Sequence, residues 1–395
     1  MLYNFFWLSL GSGMSLLGSL SLSYKMTIEN FGVVSALMAL AAFFSVVASR
    51  GQQAVILASS PHVYQNTLIH SVKRIVPALI FVVVLFLCFY LYGHFQNLDY
   101  LVYLLPFVAL SVICQIMMGL SQARNSIKII GFYQALPALA RSMPALLLVW
   151  FAFISGEQVE LLQYFLYVSL VCLIFVFITL IMGCRALLRL EVNEVPAKAK
   201  GKEGYFWATS ILSSSYASII APLILFSWGE TAAGVFGVYL MLWGVTNIAI
   251  SSIFNNYLVP KYAVLRFDAR QEIEFFSGTI KYSVVTALVV FFACSLMVEI
   301  CLVYVWPVEY SNYRFFYYLC IISLSIRPFS ARAGIPFNFS NKIKIKTKIQ
   351  TCSIAFLILA ILILAFIRNY TILAGAFVSA ELLVFLMYKY YRNTP

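Results

Sequence analysis

The sequence predicts an all-α, polytopic membrane protein with about 12 transmembrane helices. Hydrophobic residues make up 63% of the 395 residues and charged residues only 10%, and the mean hydropathy is +0.94. A water-soluble domain of this composition would lack the polar surface needed to cover its core. A bilayer core about 30 Å thick takes roughly 20 apolar residues per helix. Runs of this length follow one another along the chain, so we expect no sizeable soluble domain.

Apolar runs bounded by charged or turn residues predict the individual helices. The predicted ranges are 5–24, 31–49, 75–93, 100–119, 132–154, 160–183, 205–227, 232–252, 282–305, 313–333, 349–367 and 370–388. We interpret the first range as a membrane helix and not as a signal peptide, because it has neither a preceding basic segment nor a small-residue cleavage site.

The basic residues are distributed unevenly between alternate connections. With the N-terminus in the cytoplasm, 21 of the 26 Lys and Arg residues fall in inner connections, and only Lys25, Arg314 and Arg368 fall in outer ones. The positive-inside rule therefore predicts that both termini are cytoplasmic. The same distribution accounts for the net charge of +12, so we expect a lipid bilayer and no nucleic acid as the partner of these charges.

The most polar connection lies near the middle of the chain and predicts a division into two halves. We expect a six-helix lobe over 1–183, a cytoplasmic linker over 184–204 and a second six-helix lobe over 205–395. Two short internal matches favour duplication; they pair 30–33 with 235–238 and 125–129 with 341–345. Because six is even, the lobes would share one orientation, which is typical of transporters with a central cavity between two repeats.

Four charged residues fall within predicted membrane helices, where each costs roughly 2.5 to 3.5 kcal/mol on insertion scales. Arg141 and Arg327 are predicted to bind an anionic substrate group, because a guanidinium stays charged and its fork fits phosphate. Alternatively, the two arginines pair with Glu381 and Glu299 as structural struts, or extend to the inner interface. Glu299 and Glu381 are also candidates for binding a coupling proton or Na⁺.

Small and polar residues form stripes on the first helix of each predicted lobe. Stripes of this kind are typical of close helix packing, and Gly11 and Gly18 suit that interpretation; the alternative is a lumen lined by hydroxyl groups. The candidate contacts for a polar substrate are Trp7, Ser15, Ser19, Ser214, Trp243 and Asn247.

The sequence contains no motif that would carry catalysis. It has no GxxxxGK[ST] phosphate loop, HExxH zinc helix or GxSxG nucleophile elbow. The eight cysteines lie within or beside apolar runs, without the spacing of a metal site. We therefore expect no catalytic residue, no metal and no cofactor, and a proton or Na⁺ gradient as the energy source.

Several short segments resemble the Wzx-type polysaccharide flippases of the multidrug/oligosaccharidyl-lipid/polysaccharide exporter (MOP) superfamily. They are KMTIENFG at 25–32, AGVFGVY at 233–239, LVPKY at 258–262 and NKIK at 341–344. The resemblance implies two six-helix lobes around a cavity that opens alternately to each side. It also implies transfer of an undecaprenyl-diphosphate-linked oligosaccharide from the cytoplasmic to the periplasmic leaflet of a bacterial inner membrane, in O-antigen or lipopolysaccharide biosynthesis. A polysaccharide polymerase and a chain-length regulator are the implied protein partners.

Two other functions stay open at this point. A cation-coupled multidrug antiporter of the same superfamily would use Glu299 or Glu381. A membrane enzyme such as an O-antigen polymerase usually carries its catalytic charges in a large outer loop, whereas the predicted outer connections here have about a dozen residues or fewer. Arg141 and Arg327 fit the cationic cavity that the flippase resemblance implies.

Overall fold

A computed structural model describes residues 2–49, 64–92, 97–123, 127–155, 158–187, 208, 211–212, 218–265, 269–338 and 342–393. This part of the chain is helical and contains no strand. The predicted all-α class is therefore confirmed.

Twelve helices correspond in order to the 12 predicted ones. They are α1 (Leu2–Lys25), α2 (Ile28–Ser49), α3 (Tyr64–Tyr92), α4 (Leu105–Ala123), α5 (Ile127–Ser155), α6 (Leu161–Leu187), α7 (Ile220–Trp228), α8 (Glu230–Ile250), α9 (Ala269–Tyr304), α10 (Arg314–Ala333), α11 (Ile343–Leu364) and α12 (Tyr370–Asn393). A 3₁₀ segment, Leu98–Leu104, leads into α4. The predicted seventh helix starts at 205, and its residues 205–207, 209–210 and 213–217 lie outside the described residues.

Several helices extend beyond the predicted apolar ranges. A π-helical segment, Ser251–Leu258, and a short helix, Val259–Leu265, continue α8 past its predicted end at 252. The helix α9 begins at Ala269, well before its predicted start at 282. Both additions carry polar residues, which end an apolar run in the sequence although the helix continues.

The connection between α7 and α8 consists of Gly229 alone, with a φ of 95°. Because glycine has no Cβ, it adopts this left-handed conformation at little steric cost. The two helices are therefore joined without a longer loop.

The described helices have the length and the surface of membrane spans. Seven helical stretches among them are long and apolar enough to cross a bilayer. On α9, large apolar side chains stay exposed along the helix, including Val285 at 59%, Phe292 at 65% and Leu296 at 63% exposure. Lipid chains can cover such a surface, whereas water cannot do so favourably. The protein is a multi-pass membrane protein.

The chain forms two compact units, Met1–Pro222 (unit 1) and Leu223–Pro395 (unit 2). In unit 1, α4 packs against α2 and α6, and α5 packs against α6; in unit 2, α10 packs against α8 and α12, and α11 packs against α12. The helix pairs follow the same order in both units, as expected for a parallel duplication. The predicted linker lies mostly outside the described residues, so its boundaries stay a prediction.

Candidate functional site

The candidate site in unit 1 is built on the close contact between α1 and α5. A Cβ added to Gly11 would lie 2.7 Å from the Cβ of Ala135, and one added to Gly18 would lie 3.1 Å from the Cβ of Ser142. Both pairs are spaced seven residues apart on each helix, so the two helices run parallel in direct contact. The glycines of the small-residue stripe therefore serve close packing.

Arg141 lies on α5 at this contact, between Pro137 and Pro144. Its guanidinium Nη2 donates a hydrogen bond to the Ser15 hydroxyl on α1. The Tyr164 hydroxyl on α6 donates to the backbone carbonyl of Arg141 over 3.4 Å. The side chain of Arg141 is thus held by one neutral hydroxyl, and its backbone is bound by a second helix.

No carboxylate of the described residues lies within 4 Å of the Arg141 guanidinium. The structural-strut hypothesis predicted an acidic partner for this arginine, and none is present in the part of the chain that the structure describes. Within the described residues, the hydrogen bond to the neutral Ser15 hydroxyl is the polar contact of this guanidinium. A part-buried guanidinium in this state attracts an anion.

The other candidates of α1 lie along the same helix. Ser19 is one turn from Ser15 and is part-buried. The Trp7 ring packs edge-on against Phe132 of α5, with 5.0 Å between the ring centroids and 80° between the planes. Ser214 falls outside the described residues. The structure thus places Ser15, Arg141 and Trp7 along one helix–helix contact.

Unit 2 places three other candidates together. The Nε atom of Arg327 on α10 lies 3.8 Å from Oε1 of Glu381 on α12, with side-chain exposures of 18% and 7%. The Arg327 guanidinium carbon lies 4.4 Å from the centroid of the Trp243 ring on α8. Asn247 lies one turn further along α8 and is part-buried. This arginine is therefore paired with an acid and stacked on an aromatic ring.

Glu299 pairs with Arg314 and not with Arg141 or Arg327, the two partners considered from the sequence. Its carboxylate accepts two hydrogen bonds from Arg314, the first residue of α10, of which the Nε bond is 2.8 Å long. The Tyr318 hydroxyl donates a third bond to it over 2.6 Å. This pair could have been found from the order of the helices, because a short connection brings the end of α9 next to the start of α10. The proposed ion-coupling role of Glu299 stays a prediction.

Comparisons with known proteins address the fold. No protein-family model matches the sequence, and no curated protein does. An inward-facing multidrug resistance MATE family transporter of the MOP superfamily has a TM-score of 0.67, with 11% identity over 96% of this chain and 94% of that one. The chain has the MOP transporter fold. A MOP superfamily transporter from Pyrococcus furiosus has a TM-score of 0.59 and 14% identity, covering 99% of this chain and 90% of that chain.

A third structure, an outward-facing MATE family transporter, has a TM-score of 0.60 and 13% identity over 99% of this chain and 93% of that chain. These matches extend over nearly the whole of each chain. They confirm the predicted all-helical, MOP-like fold. At these identities they concern the fold alone, so the substrate must be inferred from the side chains.

Proposed function

We propose that this protein is a flippase that transfers an undecaprenyl-diphosphate-linked oligosaccharide from the cytoplasmic to the periplasmic leaflet of a bacterial inner membrane. The observation that carries this proposal is the guanidinium of Arg141, which has no carboxylate within 4 Å among the described residues. The MOP fold supports transport as the activity.

A diphosphate is a suitable partner for Arg141. The guanidinium remains protonated at any physiological pH, and its planar fork donates two hydrogen bonds to adjacent phosphate oxygens. Transferring an uncompensated charge out of water costs several kcal/mol, and a bound anion offsets this cost. Ser15 occupies one donor of the fork and thereby orients the remaining ones.

The glycan would be bound by neutral polar and aromatic side chains. Ser19 and Ser214 supply hydroxyls, Asn247 supplies an amide, and the rings of Trp7 and Trp243 supply faces on which sugar rings stack. The polyprenyl chain would stay in the bilayer, where transfer to water is unfavourable.

Arg327 has a secondary role in this proposal, because Glu381 already balances its charge. An arriving phosphate would have to compete with that carboxylate. One of the structural neighbours, the Pyrococcus furiosus transporter, is described as having a binding pocket of reverse polarity that suggests a different function. Its description supports the idea that this fold can accommodate pockets of either charge.

A cation-coupled multidrug antiporter is the second candidate function. The MATE neighbours favour it, and so does the burial of Glu381, since acidic residues buried within a membrane commonly take part in the binding or relay of a coupling ion. The two functions differ in the residue that they require. Glu381→Gln would abolish an antiporter's drug efflux and Arg141→Gln would spare it, whereas a flippase requires Arg141.

Deletion of the gene tests the proposal in cells. We expect the lipid-linked glycan to accumulate on the cytoplasmic leaflet, protected from a membrane-impermeant glycan-labelling reagent added outside the inner membrane. Complementation with the wild-type chain should restore labelling, while the Arg141→Gln chain at equal expression should not. Normal labelling in the deletion strain would rule out this function. Loss of surface polymer without accumulation of the glycan would instead assign the defect to polymerisation by a partner enzyme.

A further inference from the structure

A second group of basic side chains lies at one end of unit 2, away from Arg327. Arg332 is in the last turn of α10, and Arg392 is in the last turn of α12. Both reach Phe276, which lies near the start of α9. The ends of three membrane helices therefore meet at a single residue.

The two arginines bind different parts of Phe276. Arg332 donates a hydrogen bond from Nη1 to the backbone carbonyl of Phe276 over 2.8 Å. The guanidinium carbon of Arg392 lies 3.6 Å from the centroid of the Phe276 ring, in a cation–π contact. Contact with one residue forces the two guanidinium groups into the same small region, where they are close enough to repel each other.

The one acidic group that interacts with this pair balances only part of its charge. Within the described residues, neither Arg332 nor Arg392 has a carboxylate oxygen within 4 Å. Glu272 attracts Arg392 from a distance, but its carboxylate accepts a hydrogen bond from the Tyr262 hydroxyl over 2.8 Å. The Nε atom of Arg332 is buried and has no hydrogen-bond partner in the part of the chain that the structure describes. Two guanidinium groups near one carboxylate leave the group with excess positive charge.

From this arrangement we propose that Arg332 and Arg392 form a phosphate-binding site, whose ligand is the phosphodiester of an anionic phospholipid. Two guanidinium forks at one place match the several acceptor oxygens of a phosphate. Lipid is the favoured source because Ile273 and Ile280, on either side of Phe276 along α9, are 68% and 50% exposed. Acyl chains can cover these side chains while the headgroup reaches the arginines. The site is independent of the proposed substrate and of Arg141.

Lipid binding to the purified full-length protein tests this site. The probes are short-chain phosphatidylglycerol, short-chain phosphatidylcholine and inorganic phosphate, each titrated by the shift in thermal unfolding temperature. Arg332→Gln and Arg392→Gln should each weaken phosphatidylglycerol binding by about tenfold, since one charge-assisted hydrogen bond contributes that much. Phosphatidylcholine binding should not change.

Arg270→Gln is the matched control. Arg270 lies at the same end of α9, its side chain is 89% exposed, and it pairs with Glu274. This variant removes the same charge from the same helix end and should bind phosphatidylglycerol like the wild type. If it weakens binding as much as the other two, general surface charge explains the affinity and the site is refuted.

Two further comparisons complete the test. Arg332→Lys and Arg392→Lys keep the charge and lose the fork, so intermediate affinities are expected from folded protein even if the glutamine variants unfold. If the binding of inorganic phosphate depends on both arginines and the binding of phosphatidylglycerol does not, the site binds a soluble phosphate and not a lipid. Equal affinities in the wild-type and all variant proteins, for every probe, would overturn the proposal.

Discussion

The Arg141 guanidinium on α5 donates a hydrogen bond to the Ser15 hydroxyl on α1, across the contact where Gly11 and Gly18 bring the two helices close together. The two residues are 126 positions apart in the sequence. Their contact depends on the glycines that let α1 and α5 approach each other. Packing and anion binding are therefore linked at this place, and each can be tested separately.

The packing can be tested by adding a single methyl group. Gly11→Ala should lower the free energy of unfolding by about 1 to 3 kcal/mol, because the new Cβ would overlap with Ala135. Gly13→Ala is the control, since a Cβ there meets no atom within 4 Å and alanine favours the helix by up to about 1 kcal/mol. Thermal unfolding of the purified proteins measures both. Equal stability of the two variants would show that α1 and α5 are not in close contact at Gly11.

Ser15→Ala should reduce transport while leaving the fold intact. The variant removes the hydroxyl partner of the Arg141 donor, so the guanidinium loses its orientation toward a bound phosphate. We expect the transport rate to fall by about fivefold or more, since one lost hydrogen bond costs about 1 to 3 kcal/mol. Ser9→Ala, at an exposed position of the same helix, provides the comparison. A normal rate for Ser15→Ala would mean that the hydroxyl does not orient Arg141.

Removal of one partner of the Arg327–Glu381 pair should lower the free energy of unfolding strongly. Glu381→Gln removes the counter-charge of the part-buried Arg327, and we expect a loss of about 3 kcal/mol in the free energy of unfolding. The double variant Arg327→Met with Glu381→Gln should recover a large part of this loss, because it removes both charges. Additive losses in this double-mutant cycle would contradict a direct interaction over the observed 3.8 Å.

Replacement of Glu299 should have a smaller effect. Its partner Arg314 is 58% exposed, and an exposed ion pair contributes about 0 to 1 kcal/mol. Because three hydrogen bonds already occupy the carboxylate, we expect Glu299→Gln to transport with the same dependence on proton and Na⁺ gradients as the wild type. A loss of gradient dependence would restore Glu299 as a coupling residue.

The helices could be predicted from the sequence because the length of an apolar run depends only on neighbouring residues in the chain. The ranges of α2, α8 and α12 follow directly from runs bounded by charged or turn residues. The early start of α9 was missed because Arg270, Glu272 and Glu274 make its first turns polar. Helical turns rich in polar residues leave no run of high hydropathy in the sequence.

The site was only partly predictable for a different reason. Charge within an apolar run identified Arg141, Arg327 and Glu381 as unusual, and two of them prove to be a pair. The partner of Arg141 depends on which helices touch, and the sequence does not encode that directly. Ser15 was one of several serines on a stripe, and its special position follows from the α1–α5 contact.

The transfer rate of a diphosphate-linked lipid by the reconstituted protein tests the central claim most directly. Purified wild-type, Arg141→Lys and Arg141→Gln proteins would be placed in liposomes with a polyprenyl-diphosphate oligosaccharide, and its arrival in the opposite leaflet would be measured. We expect the glutamine variant to transfer it at least about tenfold more slowly, from the loss of one charge-assisted contact, and the lysine variant to retain part of the rate. An unchanged rate for a correctly folded Arg141→Gln protein would contradict the assignment of Arg141 as the diphosphate-binding residue.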